Sequence, residues 1–202
     1  MPKQREKLGL SCLEVDCANN LHCFRPDRAM KKTGIAGTCR GCRADIIDWS
    51  RIRSLDLNDI EFTVHSLKFE SIRSRFWTMT PNQWAWNFAL RRGRPVLFAD
   101  AAAFLGKCIG RPSDAFDWKS APWPDKTPWK MNPYHYARHA TGTCCRKCLE
   151  TWYGVPSSRP LTERELTYFA ALVLRYIEEK FPNLPDAPQR VPGIRRTSAI
   201  LL

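Results

Sequence analysis

The spacing of apolar side chains predicts α-helices along most of the chain. A short helix is predicted over residues 45–52, where apolar residues cluster. Asn58 and Glu61 then form a capping-box pattern, in which each side chain satisfies a backbone N–H group at the start of a helix. Apolar positions after this box recur near the helical period, and they predict one helix from Ile60 to Phe76.

Two more helices are predicted in the middle of the chain. Thr80 and Gln83 form a second capping-box pattern, and the helix that follows is predicted to run to Arg92. Gly93 ends it, because glycine is the usual residue just beyond a helix C-terminus. The next helix is predicted over residues 95–109 from a continuous apolar stripe.

The last predicted helix begins at a third capping box, formed by Thr162 and Glu165, and ends near Phe181. Residues 110–134 cannot form a long helix, because prolines recur among three tryptophans at positions 118, 123 and 129. These tryptophans are expected to pin the segment onto the helices, or alternatively to stack on nucleotide bases. Residues 182–202 are rich in proline and are predicted to be a disordered basic tail.

The predicted fold is therefore mainly α, a small helical domain with two Cys-x-x-Cys zinc knuckles and little β structure. Three regions are expected: a cysteine-rich zinc-binding module over 1–53, a helical domain over 54–181, and the tail over 182–202.

The strongest chemical signal is the segment 132–154, read as NPYHYARHATGTCCRKCLETWYG. Cys145 and Cys148 form a Cys-x-x-Cys step, which directs two thiolates at one metal ion, and zinc takes four nitrogen or sulfur ligands. The predicted ligands are His139, Cys145, Cys148 and Cys144. The competing interpretation is a group of cysteines that pack as small apolar side chains.

A second cysteine cluster lies near the N-terminus, and two of its members, Cys39 and Cys42, lie in a Gly-Thr-Cys-Arg-x-Cys sequence that repeats part of the later motif. Its predicted ligands form the set Cys17, Cys23, Cys39 and Cys42. The alternatives left open for the two sites are Cys12, His22 and His135. Two zinc ions are expected in all, although an iron–sulfur cluster uses the same ligand type.

The net charge and the expected cellular compartment limit the classes of binding partner that the sequence favours. The 32 Lys and Arg residues exceed the 20 Asp and Glu residues and give a net charge of +12, spread along the chain. Such a balance favours an anionic partner such as DNA or RNA. No apolar run has the length of a signal peptide or a membrane helix, so a cytoplasmic protein with no membrane partner is expected. Thiols stay reduced there, which favours metal ligation over disulfides.

The segment HATGTCCRKCLETWYG resembles the signature of a bacterial and prophage-associated family known as Domain of Unknown Function 4186. The matching residues are His139, Ala140, Thr141, Thr143, Cys144, Cys145, Arg146, Cys148, Leu149, Trp152 and Pro156. The resemblance covers about residues 65–181, and the N-terminal cysteines resemble an extension of longer relatives. Tyr153 stands where the family pattern has histidine, and Gly142 where it has alanine. The resemblance implies a shared fold and carries no activity.

Three functions fit the sequence. The first is a zinc module that binds nucleic acid or a nucleic-acid-handling complex, and its candidate phosphate contacts are Arg91, Arg92, Arg94, Arg146 and Lys147. The second is an enzyme centred on His139 and Cys144, although the glutamate that zinc deaminases require after their histidine is missing. The third is a structural or adaptor protein that metal ions staple together and that has a protein partner.

Overall fold

The computed structural model describes residues 11–34, 36–112 and 131–193. Within these residues the prediction of a mainly helical fold is confirmed. The helices are α1 (Arg28–Thr33), α2 (Trp49–Arg53), α3 (Ile60–Leu67), α4 (Ser71–Thr78), α5 (Gln83–Arg92), α6 (Arg94–Ile109), α7 (Pro133–Ala140), α8 (Arg146–Tyr153) and α9 (Glu163–Lys180). Two 3-10 turns cover Cys17–Asn19 and Leu57–Asp59. None of the helices described here is long and apolar enough to cross a membrane. The tryptophans at 118, 123 and 129 lie outside the described residues.

Local end signals place several helices where the sequence predicts them. The capping box of α9 is confirmed, because Thr162 and Glu165 exchange side-chain to backbone hydrogen bonds. Helix α6 begins one residue before its predicted start, and α5 ends at Arg92 as predicted. The predicted N-cap of α5 at Thr80 is wrong: Asn82 caps the helix by accepting from the backbone N–H of Ala85.

The single helix predicted from Ile60 to Phe76 is also wrong, because the chain leaves the helical conformation between α3 and α4. Glu70 has an extended backbone and forms an isolated parallel bridge with His22. His22 donates its backbone N–H to the carbonyl of Phe69 and accepts from the N–H of Ser71, so backbone groups at the break are paired. Apolar periodicity continues through this break, since both helices bury their apolar faces in the same core.

Helix α9 lies at the centre of the core and packs against α6 and α7, while α7 also packs against α4. Buried hydroxyl groups join these helices. Tyr176 donates a hydrogen bond of 3.0 Å to the carbonyl of Phe76, and Tyr134 donates one of 2.6 Å to the carbonyl of Leu97. Helix α8, whose first turn carries the second cysteine cluster, packs against α2 and is joined to α4 by a hydrogen bond from Arg73 to Cys148.

Three aromatic side chains join the N-terminal cysteine-rich segment to the helical part. The rings of Phe24, Trp49 and Trp152 pack against one another, with centroids 5.3–5.6 Å apart. Trp49 also donates a hydrogen bond of 2.8 Å to the carbonyl of Gly37, which has φ of +91°. A side chain at position 37 would lie 2.6 Å from the indole nitrogen, so only glycine fits this turn.

Residues 182–193, the first part of the predicted tail, contact α5 and α6. Arg94 donates its backbone N–H to the carbonyl of Pro185 at 2.8 Å, and Gln189 donates to that of Leu90 at 2.8 Å. Leu184 is buried. The remaining tail residues, 194–202, lie outside the described part of the chain.

Candidate metal centres

The first centre brings together Cys17, His22, Cys39 and Cys42, whose ligand atoms all lie within 4.8 Å of one another. The sulfurs of Cys17 and Cys39 are 3.8 Å apart, and the Cys42 sulfur is 3.4 Å from Nδ1 of His22. Zinc–sulfur bonds of about 2.3 Å at tetrahedral angles place sulfurs about 3.8 Å apart, and a sulfur and a nitrogen about 3.6 Å apart. The donor set therefore fits a tetrahedral zinc ion.

Backbone N–H groups in the turn from Cys39 to Cys42 favour a thiolate at Cys39. The N–H of Gly41 donates to the Cys39 sulfur at 3.3 Å. Burial alone raises the pKa of the Cys39 thiol, but the N–H groups of Cys23, Cys42 and Gly41 outweigh it and hold the pKa at about 6. Burial and the two neighbouring thiols raise the pKa of Cys17 to about 11. Cys17 is thus unfavourable as a thiolate beside Cys39 when no cation is present. A divalent cation would stabilise both thiolates, because it binds each donor in its deprotonated form.

His22 is held at this centre from both sides. Its backbone N–H donates to the carbonyl of Phe69 at 2.7 Å, and its carbonyl accepts from the N–H of Ser71 at 2.8 Å. On the imidazole, Nε2 lies 2.9 Å from the side-chain oxygen of Asn20. Since that amide oxygen can only accept, Nε2 carries the proton and Nδ1 presents its lone pair to the cysteines.

Cys23, one of the four ligands predicted for this centre, is not a member of the group, and His22 is. The Cys23 side chain is buried, and its sulfur donates to the carbonyl of Cys12 at 3.3 Å. Burial raises the pKa of the Cys23 thiol to about 11. Adjacent side chains on an extended backbone point in different directions. His22 therefore faces the other ligands of the first centre, while Cys23 points away from them.

The second centre brings together Cys144, Cys145 and Cys148 at the N-terminus of α8. Cys145 occupies the N-cap position with an extended backbone, and the sulfurs of Cys144 and Cys148 are 3.4 Å apart. Thiolates are favoured at this end of a helix, because the free N–H groups give it a partial positive charge. All nine cysteines are free thiols, so neither centre is a disulfide.

A buried arginine from α4 faces this second centre. Arg73 donates to the Cys148 sulfur at 3.0 Å and to the Cys144 sulfur at 3.7 Å. The same side chain donates to the carbonyl of His139 at 2.7 Å and to Glu70 at 2.9 Å. Glu70 also accepts from the indole N–H of Trp152 at 2.7 Å. A guanidinium keeps its charge at any ordinary pH, so its contacts with sulfur favour thiolates.

The three thiols of this centre cannot all ionise by themselves. Hydrogen bonds from Cys145 and Cys148, reinforced by Arg73, hold the pKa of Cys144 well below its ordinary value. The neighbouring Cys144 raises the pKa of Cys145 to about 11, and that of Cys148 well above its ordinary value. Ionisation of one sulfur therefore disfavours ionisation of its neighbours. Full deprotonation of all three requires a cation among them, as a structural zinc ion would supply.

Neither histidine of the segment 132–154 belongs to the thiol group. The ring of His139, a predicted ligand, stacks on Phe76 with centroids 4.8 Å apart. His135 completes the capping box of α7 with Asn132. Burial lowers the pKa of His135 to about 4, which fits a neutral structural side chain. The structure thus gives the second centre three of its four predicted ligands.

The predicted phosphate contacts are mostly engaged within the protein. Arg146 is buried, and it donates to the carbonyls of Ile109 and Arg159 at 3.2 and 2.7 Å. It is therefore not placed to contact a phosphate. The other three arginines also have internal acceptors. Arg91 donates to the carbonyls of Val191 and Pro192, Arg92 pairs with Asp100, and Arg94 pairs with Glu178. Lys147 is exposed.

Comparison with known protein families identifies the helical part of the chain. Residues 61–178, more than half of the sequence, match the family described as Domain of unknown function (DUF4186). The chain belongs to the DUF4186 family. The resemblance drawn from the cysteine motif is thereby confirmed at the level of the family. No solved structure matches the chain.

The second centre lies within the region that matches the family, and the first centre lies outside it. Cys144, Cys145, Cys148 and the arginine that faces them lie within the DUF4186 match, while residues 17–42 of the first centre precede it. The bridge between His22 and Glu70 connects the two parts.

Proposed function

We propose that this DUF4186 chain is a zinc protein, in which two ions staple the N-terminal segment and the helical core. The observation that carries the proposal is the pair of donor groups, each with its ligand atoms within 4.8 Å of one another. The sulfur–sulfur spacing of 3.8 Å in the first group is that of a tetrahedral zinc site. Bound zinc would supply fixed cross-links whose binding free energy becomes folding free energy.

A structural role is favoured over a catalytic one by the donor chemistry and the surroundings. The first centre offers four protein ligands, which leaves no position for water or substrate. Cys148 and His22 are buried. Two surface cavities of about 250 and 700 Å³ are lined by other residues and contain no cysteine or histidine. Neither of these two cavities, which are large enough for a small substrate, is therefore lined by a candidate metal ligand.

Metal analysis of freshly purified, untagged protein tests this proposal. The expected result is two zinc ions per chain, with no stoichiometric iron and no visible absorption from an iron–sulfur cluster. Removal of the ions with a strong chelator is expected to unfold the chain, since structural zinc contributes about 10 kcal/mol or more to such folds. Protein that contains no bound metal and folds normally would contradict the proposal.

Nucleic-acid binding is the second candidate function, and one surface feature favours it. In α1, the exposed residues Arg28, Lys31 and Lys32 are spaced three and four residues apart and share one face of the helix. The helix lies between the ligands His22 and Cys39 in the sequence. A basic face on a zinc-stapled segment suits the phosphate backbone of DNA or RNA, and the net charge of +12 would draw such a partner in.

Two charge-matched triple variants test this second function. Changing Arg28, Lys31 and Lys32 to glutamine is expected to weaken binding at least tenfold and to flatten its salt dependence, since about three phosphate contacts are lost. Changing Arg91, Arg92 and Arg94 to glutamine removes the same charge and is expected to have a smaller effect, because those side chains have internal acceptors. Equal losses would mean a diffuse charge effect. Undetectable binding of the wild type at low salt would leave the structural role alone.

A further inference from the structure

The second centre offers three thiols, whereas a structural zinc ion takes four ligands. We infer that Cys12 is the fourth ligand, so that this ion ties the N-terminal segment directly to α8. The inference rests on the proposed zinc function and names a ligand for it from outside the matched DUF4186 region.

The N-terminal segment is anchored to the chain around α4 at both of its ends. Near its start, Glu14 accepts a hydrogen bond of 3.1 Å from Arg75 of α4. At its other end, His22 is inserted between the backbone groups of Phe69 and Ser71. The Cys23 thiol holds the carbonyl of Cys12 at 3.3 Å. Residue 12 is thereby held beside the first turns of α4, from which Arg73 reaches the second centre.

The surroundings of the Cys12 side chain agree with this position. Its side chain is half-buried and packs against the hydrophobic core. The charged groups within electrostatic range of its sulfur are Cys144, Arg73, Glu70 and Arg25. Two of these, Cys144 and Arg73, also contact each other through a hydrogen bond. Cys12 therefore lies near the Arg73 guanidinium, which contacts two of the three clustered thiols.

Other candidates for the fourth position are engaged elsewhere. The His139 ring stacks on Phe76. Cys23 is fully buried, and its thiol is directed at a backbone carbonyl. Cys108 lies near the end of α6. The remaining cysteines, Cys17, Cys39 and Cys42, belong to the first centre with His22. Of the cysteines outside both groups, Cys12 lies on the segment that is anchored beside α4.

Cobalt substitution counts the thiolates directly, because sulfur-to-cobalt charge-transfer absorption grows with each thiolate bound. Protein loaded with two cobalt ions should show three thiolates at the first centre and four at the second. Cys12→Ser is expected to remove about one seventh of this absorption and to weaken metal binding at one centre at least tenfold. Cys23→Ser and Cys108→Ser are the matched controls, and both are expected to keep the full absorption.

A ligand-preserving variant keeps the test valid if Cys12→Ser folds poorly. Cys12→His retains a zinc ligand and is expected to keep two ions per chain, with one sulfur fewer in the cobalt spectrum. The inference is overturned if Cys12→Ser has the wild-type spectrum and affinity, or if the loss appears in Cys23→Ser instead. Either result leaves a wild type with two bound ions, whereas a wild type without metal overturns the proposed function itself.

Discussion

The guanidinium of Arg73 donates a hydrogen bond of 3.0 Å to the sulfur of Cys148, and both side chains are buried. This contact crosses from α4 to α8, two helices 75 residues apart in the sequence. Arg73 is also ion-paired with Glu70 at 2.9 Å, so the buried positive charge is balanced even before a metal binds. The sulfurs of the second centre thus lie against a fixed arrangement of N–H donors, and this arrangement orients them.

Replacement of Arg73 by lysine should weaken the second centre even though the positive charge is kept. Arg73→Lys keeps a positive charge but loses the planar fork that reaches two sulfurs, a carbonyl and a carboxylate. We expect metal affinity at this centre to fall about 10- to 100-fold, with a loss of about 3 kcal/mol in unfolding free energy. Chelator competition and urea unfolding of the zinc-loaded protein measure the two effects.

Arg75→Lys is the matched control, because Arg75 makes an exposed ion pair with Glu14. Its expected cost is below about 1 kcal/mol, with no change in metal affinity. Equal behaviour of the two lysine variants would show that Arg73 acts only as a general positive charge.

Asn20 is expected to set the metal affinity of the first centre through His22. Asn20 has φ of +58°, so Asn20→Gly removes the amide without backbone strain. Loss of the acceptor at Nε2 frees the imidazole to rotate and change tautomer, and we expect an affinity about tenfold or more lower. Asn20→Asp keeps an acceptor and should retain the affinity. Isothermal titration with zinc measures both. A glycine variant with wild-type affinity would show that the Asn20 contact does not orient the ligand.

Cys144 is expected to act as a ligand and not as a free nucleophile. Cys144→Ser should then lower zinc content and melting temperature together, to the same extent as Cys148→Ser, since both remove a thiolate from one group. Cys108→Ser should change neither. Elemental analysis and thermal unfolding give the comparison. Full zinc content and stability in Cys144→Ser, together with rapid alkylation of Cys144 in the wild type near neutral pH, would instead indicate an enzyme.

Acid should weaken the start of α9 through Glu165. A hydrogen bond from Arg159 lowers the pKa of this carboxyl from its ordinary 4.5 to about 2. The stabilisation is therefore complete above pH 4.5 and is lost as the pH falls toward 2. We expect Glu165→Gln, which keeps the capping-box hydrogen bonds, to cost on the order of 1–2 kcal/mol at neutral pH. That difference should stay constant from about pH 5 to about pH 8, where the metal ions stay bound and the carboxyl is ionised, as measured by urea unfolding.

Glu163→Gln is the control for this titration, because Glu163 is exposed in the same first turn. It should change stability little at any pH. A Glu165→Gln variant as stable as the wild type between about pH 5 and about pH 8 would contradict the role assigned to the Arg159 pair.

Features fixed by neighbouring residues were predictable from the sequence. The capping box of α9 needs only residues three apart, and the stop at Gly93 needs only one residue. The Cys-x-x-Cys steps likewise marked both thiol groups. The break between α3 and α4 was not predictable, because its cause is a backbone bridge to His22 from 48 residues earlier.

The remaining ligands and their supporting residues depend on the same long-range packing. Spacing alone could not choose between His22 and Cys23, since adjacent residues serve equally well in sequence. Arg73 gave no motif signal, because its role depends on α4 lying beside α8. One clue was present for Asn20, whose polar side chain stands two residues before a candidate histidine. Charge counting named Arg146 as a phosphate contact, yet burial commits it to backbone carbonyls.

The four ligands of the first centre all lie between residues 17 and 42. This closeness has a consequence for the order in which the chain folds. Closing such a short loop costs little entropy, whereas a centre that joins Cys12 to the thiols of α8 must wait until about 100 residues beyond Cys42 have been synthesised. If the proposed metal ion binds at the first centre, it can therefore do so while the ribosome is still making the helical domain. The N-terminal segment would then be folded before α4 and α8 form and pack against it.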